Sequence, residues 1–292
     1  MAEEVWMLQT KKADFKQIGA RFQIDPVTAR IIRNRGIEGE AAIDRYLNGT
    51  LDDLYDPMLL KDMERAVSIL CEAVDTGKKI RIVGDYDIDG VCSTYILLQA
   101  FERLGSDVDF EIPDRIKDGY GINESIIEQA HADGVEVILT CDNGISAFHQ
   151  VELAKKYGMT VVITDHHEVP LDGEKEKIPP ADAVIDPKQA DCPYPFPEIC
   201  GAVVAYKLVQ VLYARRGVPQ MEWLDLLEFA AIATVGDVMK LQDENRILVK
   251  YGLKKMAQTK NLGLRRLAEK NNLDLGAITA YHIGFVIGPC LN

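Results

Sequence analysis

Short apolar runs alternate with helical patterns over the middle of the chain. Each run is nearly continuous in Ile, Val and Leu, which is typical of strands that are buried on both faces of a parallel sheet. The predicted strands are residues 80–83, 108–112, 135–140, 159–164 and 182–185. Helices are predicted between them at residues 90–104, 123–132 and 145–157. This alternation predicts an α/β fold with a parallel sheet and helices on both faces.

The two ends of the chain show helical patterns and no strand pattern. One early helix is predicted to begin where Pro26 follows Asp25, and another to end at Gly49. Apolar residues at helical spacing then continue over residues 60–77, and beyond residue 200 helices are predicted at 200–215, 222–235 and 244–257. We therefore expect a helical N-terminal arm over residues 1–60 and an α/β domain over residues 61–292 with an all-helical C-terminal part.

Composition excludes several classes of protein. Hydrophobic residues make up 47% and charged residues 27% of the 292 positions, as in ordinary globular domains. No apolar run reaches the roughly 18 residues of a membrane span, and the first residues lack the basic-then-apolar order of a signal peptide. The six cysteines include no Cys-x-x-Cys pair, so neither a zinc site nor a redox pair is indicated. We expect a cytoplasmic protein with reduced thiols.

The formal net charge of −13 affects what the chain can bind. A domain that attracts nucleic acid through its overall field is usually basic. The charge therefore counts against DNA binding by this chain alone. Two divalent ions at one site would reverse the local field that an incoming phosphate meets there.

Acidic residues follow three of the predicted strands. The run GDYDIDG at 84–90 follows the first strand, CDNG at 141–144 the third, and DHHE at 165–168 the fourth. Ligands of open parallel sheets lie beyond the carboxyl ends of the strands. Carboxylates with imidazoles suit Mn²⁺ or Mg²⁺, and a pair of such ions can activate water and stabilise both oxygens of a displacement at phosphorus. The sequence predicts a site for two ions.

Structural interpretations of the same motifs stay open at this level. Any single aspartate could cap the helix that follows it, although capping does not explain His166 and His167. The DYDIDG run matches the start of an EF-hand calcium loop, but the glutamate which that loop requires is replaced by Ile96. Asp237 follows Gly236 at the end of an apolar helix. On the sequence alone it is either a metal ligand or part of an ordinary helix-end turn.

Taken in order, the motifs GDYDIDG, DNGI, TDHHE and VGDV resemble motifs one to four of the DHH phosphoesterases. Within that superfamily, residues 33–67, 114–122 and 285–292 are similar to the RecJ-type single-strand DNA exonucleases. The resemblance covers nearly the whole chain. It implies that residues 61–292 form a DHH phosphoesterase domain, and we expect the chain to be truncated before a DHHA1-like domain.

The resemblance also implies roles for individual residues. Two Mn²⁺ or Mg²⁺ ions would be held by Asp85, Asp87, Asp89, Asp142, His166 and Asp237. Asp142 would bridge the ions, and His167 would stabilise charge beside the scissile phosphate. Asp165 would orient an imidazole. Arg115 and Tyr120 would contact the nucleic-acid strand.

Two positions depart from the patterns of related proteins. Pyrophosphatases of the superfamily have a histidine where this chain has Val83, which argues against a pyrophosphatase. Many RecJ proteins have an arginine where this chain has Cys290, which leaves one substrate contact without its usual residue.

The resemblance implies metal-dependent hydrolysis of single-stranded DNA in the 5′ to 3′ direction, releasing mononucleotides in DNA repair and recombination. One alternative is a DHH phosphodiesterase for short oligonucleotides or cyclic dinucleotides, which the N-terminal arm and the 114–122 segment disfavour. Another is a non-catalytic nucleic-acid or replication scaffold. The presence of every carboxylate and both histidines disfavours that class.

Overall fold

The computed structural model describes Met7, residues 11–116, Gly119 and residues 121–291. The chain divides into two compact units, Met1–Leu54 and Tyr55–Asn292. In its described part the first unit contains α1 (Phe15–Phe22), α2 (Pro26–Asn34) and α3 (Glu40–Asn48), and a 3₁₀ turn at Leu51–Asp53.

The predicted start of α2 and the predicted end of α3 are confirmed in the first unit. The Asp25 carboxylate accepts the N–H groups of Val27 and Thr28 at the start of α2, and Pro26 occupies the first helical position, where no N–H is needed. Gly49 caps the end of α3. A small core of Ile32, Ile43 and Tyr46 joins the helices.

The second unit is built on one parallel sheet. Its described residues form β1 (Ile80–Val83), β2 (Val108–Glu111), β3 (Val137–Cys141), β4 (Thr160–Thr164) and β7 (Ala183–Ile185), in the order β2-β1-β3-β4-β7. A separate antiparallel pair, β5 (Leu171–Asp172) and β6 (Lys175–Glu176), was not predicted from the sequence. The predicted fold class is confirmed.

Helices account for most of the remaining described residues of this unit. They are α4 (Met63–Thr76), α5 (Ile88–Arg103), α6 (Glu124–Ala132), α7 (Phe148–Lys156), α8 (Gly201–Arg215), α9 (Gln220–Leu224), α10 (Leu227–Gly236), α11 (Asp243–Met256), α12 (Leu262–Lys270), α13 (Ala280–His282) and α14 (Gly288–Leu291). A π-helical turn at Ile283–Ile287 joins α13 to α14, and 3₁₀ turns lie at Pro57–Leu59 and Leu275–Ala277.

One predicted helix is wrong. Residues 222–235 belong to two helices, α9 and α10, which are separated at Asp225 and Leu226. Apolar spacing continues across this turn, so periodicity could not detect it.

Helices cover both faces of the sheet. Side chains of α6 and α7 share one buried cluster with residues of β1, β3 and β4. On the opposite face α5 packs against α8, and α10 packs against α5, α8 and α11. Within the described ranges, no helix combines the length and hydropathy that a membrane span requires.

The strand order and register determine where the chemistry lies. From β1 the chain first adds β2 on one side and later β3 on the other, and this reversal opens a crevice at the carboxyl ends of β1 and β3. Across the sheet Val83 pairs with Thr140, Thr140 with Ile163, and Ile163 with Val184. For each of these four strands the residue two positions after the aligned one is an aspartate: Asp85, Asp142, Asp165 and Asp186.

Candidate metal centre

The loop after β1 supplies three carboxylates, each held differently. Asp85 is buried, and its Oδ1 accepts the N–H of Gly121 at 3.1 Å. Asp87 caps α5 by accepting two N–H groups of its first turn on Oδ1. Asp89 lies in the first turn of α5 and is buried. The DYDIDG spacing thus places three carboxylates around one helix N-terminus, where the helix dipole stabilises negative charge.

A second helix N-terminus meets the same carboxylates. The two oxygens of Asp89 accept the N–H groups of Gly201 and Ala202, at 2.7 and 2.8 Å, which begin α8. Gly201 lies so close to Asp142 that a Cβ added at this glycine would fall 2.7 Å from the Asp142 Cβ. Only glycine allows α8 to approach the site this closely.

His166 lies at the centre of the carboxylates. Its Nε2 lies 3.1 Å from Asp142 Oδ1, 3.3 Å from Asp89 Oδ2 and 3.8 Å from Asp237 Oδ2. Potential ligand atoms of Asp89, His166 and Asp237 all lie within 4.8 Å of one another, as do those of Asp142, His166 and His167. Two groups that share one imidazole are a suitable donor set for divalent ions that prefer oxygen and nitrogen.

Asp165 holds the second imidazole of the motif. Its Oδ1 lies 2.7 Å from His167 Nδ1, and its Oδ2 accepts the N–H of Ile145 at 2.9 Å. Burial opposes ionisation of Asp165, but the hydrogen bond and charge of His167 outweigh it, so the pKa of Asp165 is lowered. Burial likewise opposes the charged form of His167, but the Asp165 hydrogen bond raises its pKa. The imidazole that Asp165 orients is therefore that of His167.

The remaining carboxylates repel one another in the absence of a cation. Burial, followed by the charges of Asp89 and Asp87, raises the pKa of Asp142 well above its ordinary value. The same causes raise the pKa of Asp237 to about 7. Burial and the Asp87 charge also raise the pKa of Asp85, whose buried Oδ2 accepts no hydrogen bond from the described residues. Divalent cations would relieve this repulsion, so the residues fit a metal site.

Some of the predicted site residues lie outside the two ligand groups around His166. Asp85 and Asp87 belong to neither of the two ligand groups found among the described residues, although the Asp87 charge acts on both Asp142 and Asp237. Arg115 is exposed, and its guanidinium lies 4.5 Å from the centre of the Tyr86 ring. Tyr120 lies outside the described residues.

Sequence reasoning assigned no role to two polar residues of the strand ends. Asn143 donates from Nδ2 to the carbonyls of Val83 and Cys141, and its Oδ1 accepts the N–H of Ile122 at 3.2 Å. It therefore fastens the crevice between β1 and β3. Asp186 directly follows β7, just as Asp165 directly follows β4. An acidic residue after the predicted strand 182–185 could therefore have identified Asp186 from the sequence.

Asp186 is expected to destabilise the metal-free protein. Burial, reinforced by the charge of Asp165, raises the pKa of Asp186 to about 7. Because this exceeds the ordinary value of 3.8, the folded state binds the proton more tightly than the unfolded state, and the free energy of unfolding falls as pH rises between these two values. Asp186→Asn should therefore stabilise the protein at pH 8, by at most about 4 kcal/mol for about three pKa units.

Thermal unfolding in chelator at pH 8 and pH 5 tests this expectation. The stability gain of Asp186→Asn should shrink at pH 5. Asp172→Asn, at an exposed position of β5, should give no gain at either pH. An equal gain for Asp186→Asn at both pH values would contradict the predicted cause.

An open parallel sheet whose aligned strand ends carry carboxylates and a histidine pair defines an α/β protein with a candidate divalent-metal centre. The model of the DHH family, N-terminal domain, matches residues 79–234, which is more than half of the chain. The chain therefore belongs to the DHH family.

The resemblance to RecJ-type proteins is also confirmed. The single-stranded-DNA-specific exonuclease RecJ of Bacillus subtilis strain 168 is 37% identical over 288 residues, which are 98% of this chain and 35% of that protein. RecJ of Escherichia coli K12 is 35% identical, over 92% of this chain and 47% of that protein. The crystal structure of RecJ from Thermus thermophilus in complex with Mn²⁺ matches with a TM-score of 0.75 and 30% identity, over 94% of this chain and 38% of that chain. This chain thus spans less than half of each of these three relatives.

Proposed function

We propose that this chain is the catalytic core of a metal-dependent exonuclease that hydrolyses single-stranded DNA from the 5′ end and releases mononucleotides. The proposal rests on one observation: the strand register aligns four aspartates at the carboxyl ends of the sheet, with His166 and His167 beside them. The similarity to single-stranded-DNA-specific exonucleases over 98% and 92% of the chain supports the substrate. The 5′ polarity and a role in DNA repair and recombination are proposed from the resemblance of the motifs to the RecJ-type proteins.

The proposed ligands of two Mn²⁺ or Mg²⁺ ions are Asp85, Asp87, Asp89, Asp142, His166 and Asp237. Bound ions of this kind supply an activated water and stabilise charge on the attacking and leaving oxygens. The first N–H groups of α5 and α8 orient Asp87 and Asp89, respectively. Asp142, whose Oδ1 lies 3.1 Å from His166 Nε2, is the proposed bridging ligand.

His167 is the proposed contact to the scissile phosphate. Its Nδ1 is occupied by Asp165 at 2.7 Å, which fixes the orientation of the ring. A raised pKa favours the charged imidazolium, which would donate to a phosphate oxygen. Arg115 and Tyr120 are proposed to contact the nucleic-acid strand.

Degradation of a single-stranded DNA labelled at its 5′ end tests the proposal. We expect immediate release of labelled mononucleotide with Mn²⁺ or Mg²⁺ and none with chelator. Duplex DNA, RNA and a cyclic dinucleotide serve as alternative substrates in the same assay. Asp142→Asn, prepared identically, controls for a contaminating nuclease.

Each other outcome points to a different function. Cleavage of only short oligonucleotides or cyclic dinucleotides would replace the proposal by a phosphodiesterase of the same family. Release of label only after internal cleavage would contradict the 5′ polarity. Metal binding without hydrolysis of any substrate would favour a scaffold.

A further inference from the structure

The loop after β7 is held by hydrogen bonds and places a lysine beside the histidine motif of the metal centre. The Oδ1 of Asp186 accepts the N–H of Lys188 at 2.8 Å. Gln189, which is buried, donates from Nε2 to the carbonyls of Val184 and Asp186 at 3.0 and 3.2 Å. These bonds fix the backbone of Lys188 relative to β7, and hence relative to the neighbouring end of β4.

The ammonium of Lys188 lies over the histidine motif. Its Nζ lies 2.7 Å from Oε1 of Glu168, the residue directly after His167. The Lys188 side chain is 20% exposed, whereas that of Glu168 is 86% exposed. The aliphatic stem is therefore packed while the partner carboxylate projects into solvent. Burial and the charge of Asp89 raise the pKa of Asp237, and the positive charge of Lys188 lowers it. The ammonium is therefore close enough to interact electrostatically with the carboxylates.

A local cation would add to the attraction of the proposed metal ions, because the chain as a whole offers none to a polyanion. The net charge is −13, and an ammonium near the site would act on the phosphate at short range. An ion pair with an exposed partner contributes at most about 1 kcal/mol, so Lys188 can leave Glu168 easily. A phosphate oxygen offers a stronger, charge-assisted hydrogen bond in exchange.

We propose that Lys188 is a catalytic residue that contacts a non-bridging oxygen of the scissile phosphate, with Glu168 holding its ammonium until the substrate binds. This inference rests on the proposed phosphodiester hydrolysis. It adds a substrate contact from the loop that follows β7. The rival explanation is a purely structural Lys188–Glu168 pair that fastens the loop after β7 to the histidine motif.

Four variants separate these explanations: Lys188→Gln, Lys188→Arg, Glu168→Gln and Lys175→Gln. The substrates are single-stranded DNA and the p-nitrophenyl ester of thymidine 5′-monophosphate, which contains a single phosphodiester. With saturating Mn²⁺, Lys188→Gln should lower kcat/KM roughly 10- to 100-fold on both, mainly through kcat, since a charged hydrogen bond to the reacting group is lost. Lys188→Arg should recover part of the loss.

The controls distinguish contact with phosphate from a structural role. Glu168→Gln removes the same ion pair but should stay within about fivefold of wild type. Lys175→Gln, at an exposed position of β6, should have no effect. Mn²⁺ affinity measured by calorimetry should be unchanged in Lys188→Gln. The proposal is wrong if Glu168→Gln loses as much activity as Lys188→Gln, if Lys188→Gln stays near wild type, or if it loses Mn²⁺.

Failure of the proposed exonuclease function can be recognised separately. A wild-type chain that hydrolyses the ester but not DNA would overturn the DNA substrate, and the ester would still test Lys188. If neither the ester nor DNA is hydrolysed, the affinity of the Mn²⁺-loaded protein for thymidine 5′-monophosphate is measured in place of kcat/KM. A roughly tenfold weaker affinity in Lys188→Gln would then support the contact, and equal affinity would overturn it.

Discussion

Replacing Asp142 by asparagine is expected to abolish hydrolysis and, at the same time, to stabilise the metal-free protein. The rate should fall by about 10³-fold or more, the scale on which groups that stabilise transition-state charge act, because both proposed ions lose a shared ligand. Stability should rise because burial and the charges of Asp89 and Asp87 raise the pKa of Asp142. The buried carboxylate therefore opposes folding increasingly as pH rises above its ordinary pKa. Asparagine also tolerates the left-handed backbone of this position, φ 61°.

The two effects are measured as kcat/KM with Mn²⁺ and as the unfolding temperature in chelator at pH 8. Asp109→Asn is the control, because Asp109 is a half-buried carboxylate on the same sheet that, unlike the buried Asp142, pairs with Arg81 at 2.7 Å. It should lower stability and leave the rate near wild type. Activity of Asp142→Asn within tenfold of wild type, or a lower unfolding temperature in chelator, would refute the assignment.

Gly201→Ala is expected to disrupt the site without changing any charge. A methyl group at this position would lie 2.7 Å from Cβ and 2.9 Å from Cα of Asp142. The Gly201 N–H also donates to Asp89 at 2.7 Å, so moving α8 away from Asp142 weakens its bond to Asp89. We expect a loss of activity above about 100-fold for misplaced ligands. Overpacking should lower the free energy of unfolding by about 1–3 kcal/mol.

Rates and Mn²⁺ affinity, together with urea unfolding, test this prediction against Gly284→Ala. The nearest atom to a Cβ at Gly284 is Cγ1 of Val235 at 3.9 Å, an ordinary contact. That variant should retain the activity and Mn²⁺ affinity of wild type. Wild-type activity in Gly201→Ala would show that α8 can withdraw freely and does not position the carboxylates.

Much of the fold could be predicted from local sequence. The strands over 80–83 and 159–164 are rich in Ile and Val because nearly all of their residues are buried. Caps such as Asp25 with Pro26 are equally local. The break between α9 and α10 was missed, since apolar residues at helical spacing continue across Asp225 and Leu226.

The candidate site could be predicted only in part. Asp142 and His166 were recognisable because each lies two residues beyond the end of a predicted strand. For Asp237 the sequence left two interpretations, and the structure places its Oδ2 3.8 Å from His166 Nε2. The sequence predicts that Asp165 orients an imidazole, but only the structure shows that it is that of His167.

The sequence by itself determined the elements and the acidic strand ends, because burial, capping and metal-ligand chemistry act on residues close together in the chain. Only the tertiary structure decided the register that aligns Asp186 with the other aspartates, the approach of Gly201 to Asp142, and the position of Lys188 over the histidine motif. These contacts join residues from different strand ends and helices. They depend on strand order and helix packing, which no local pattern specifies.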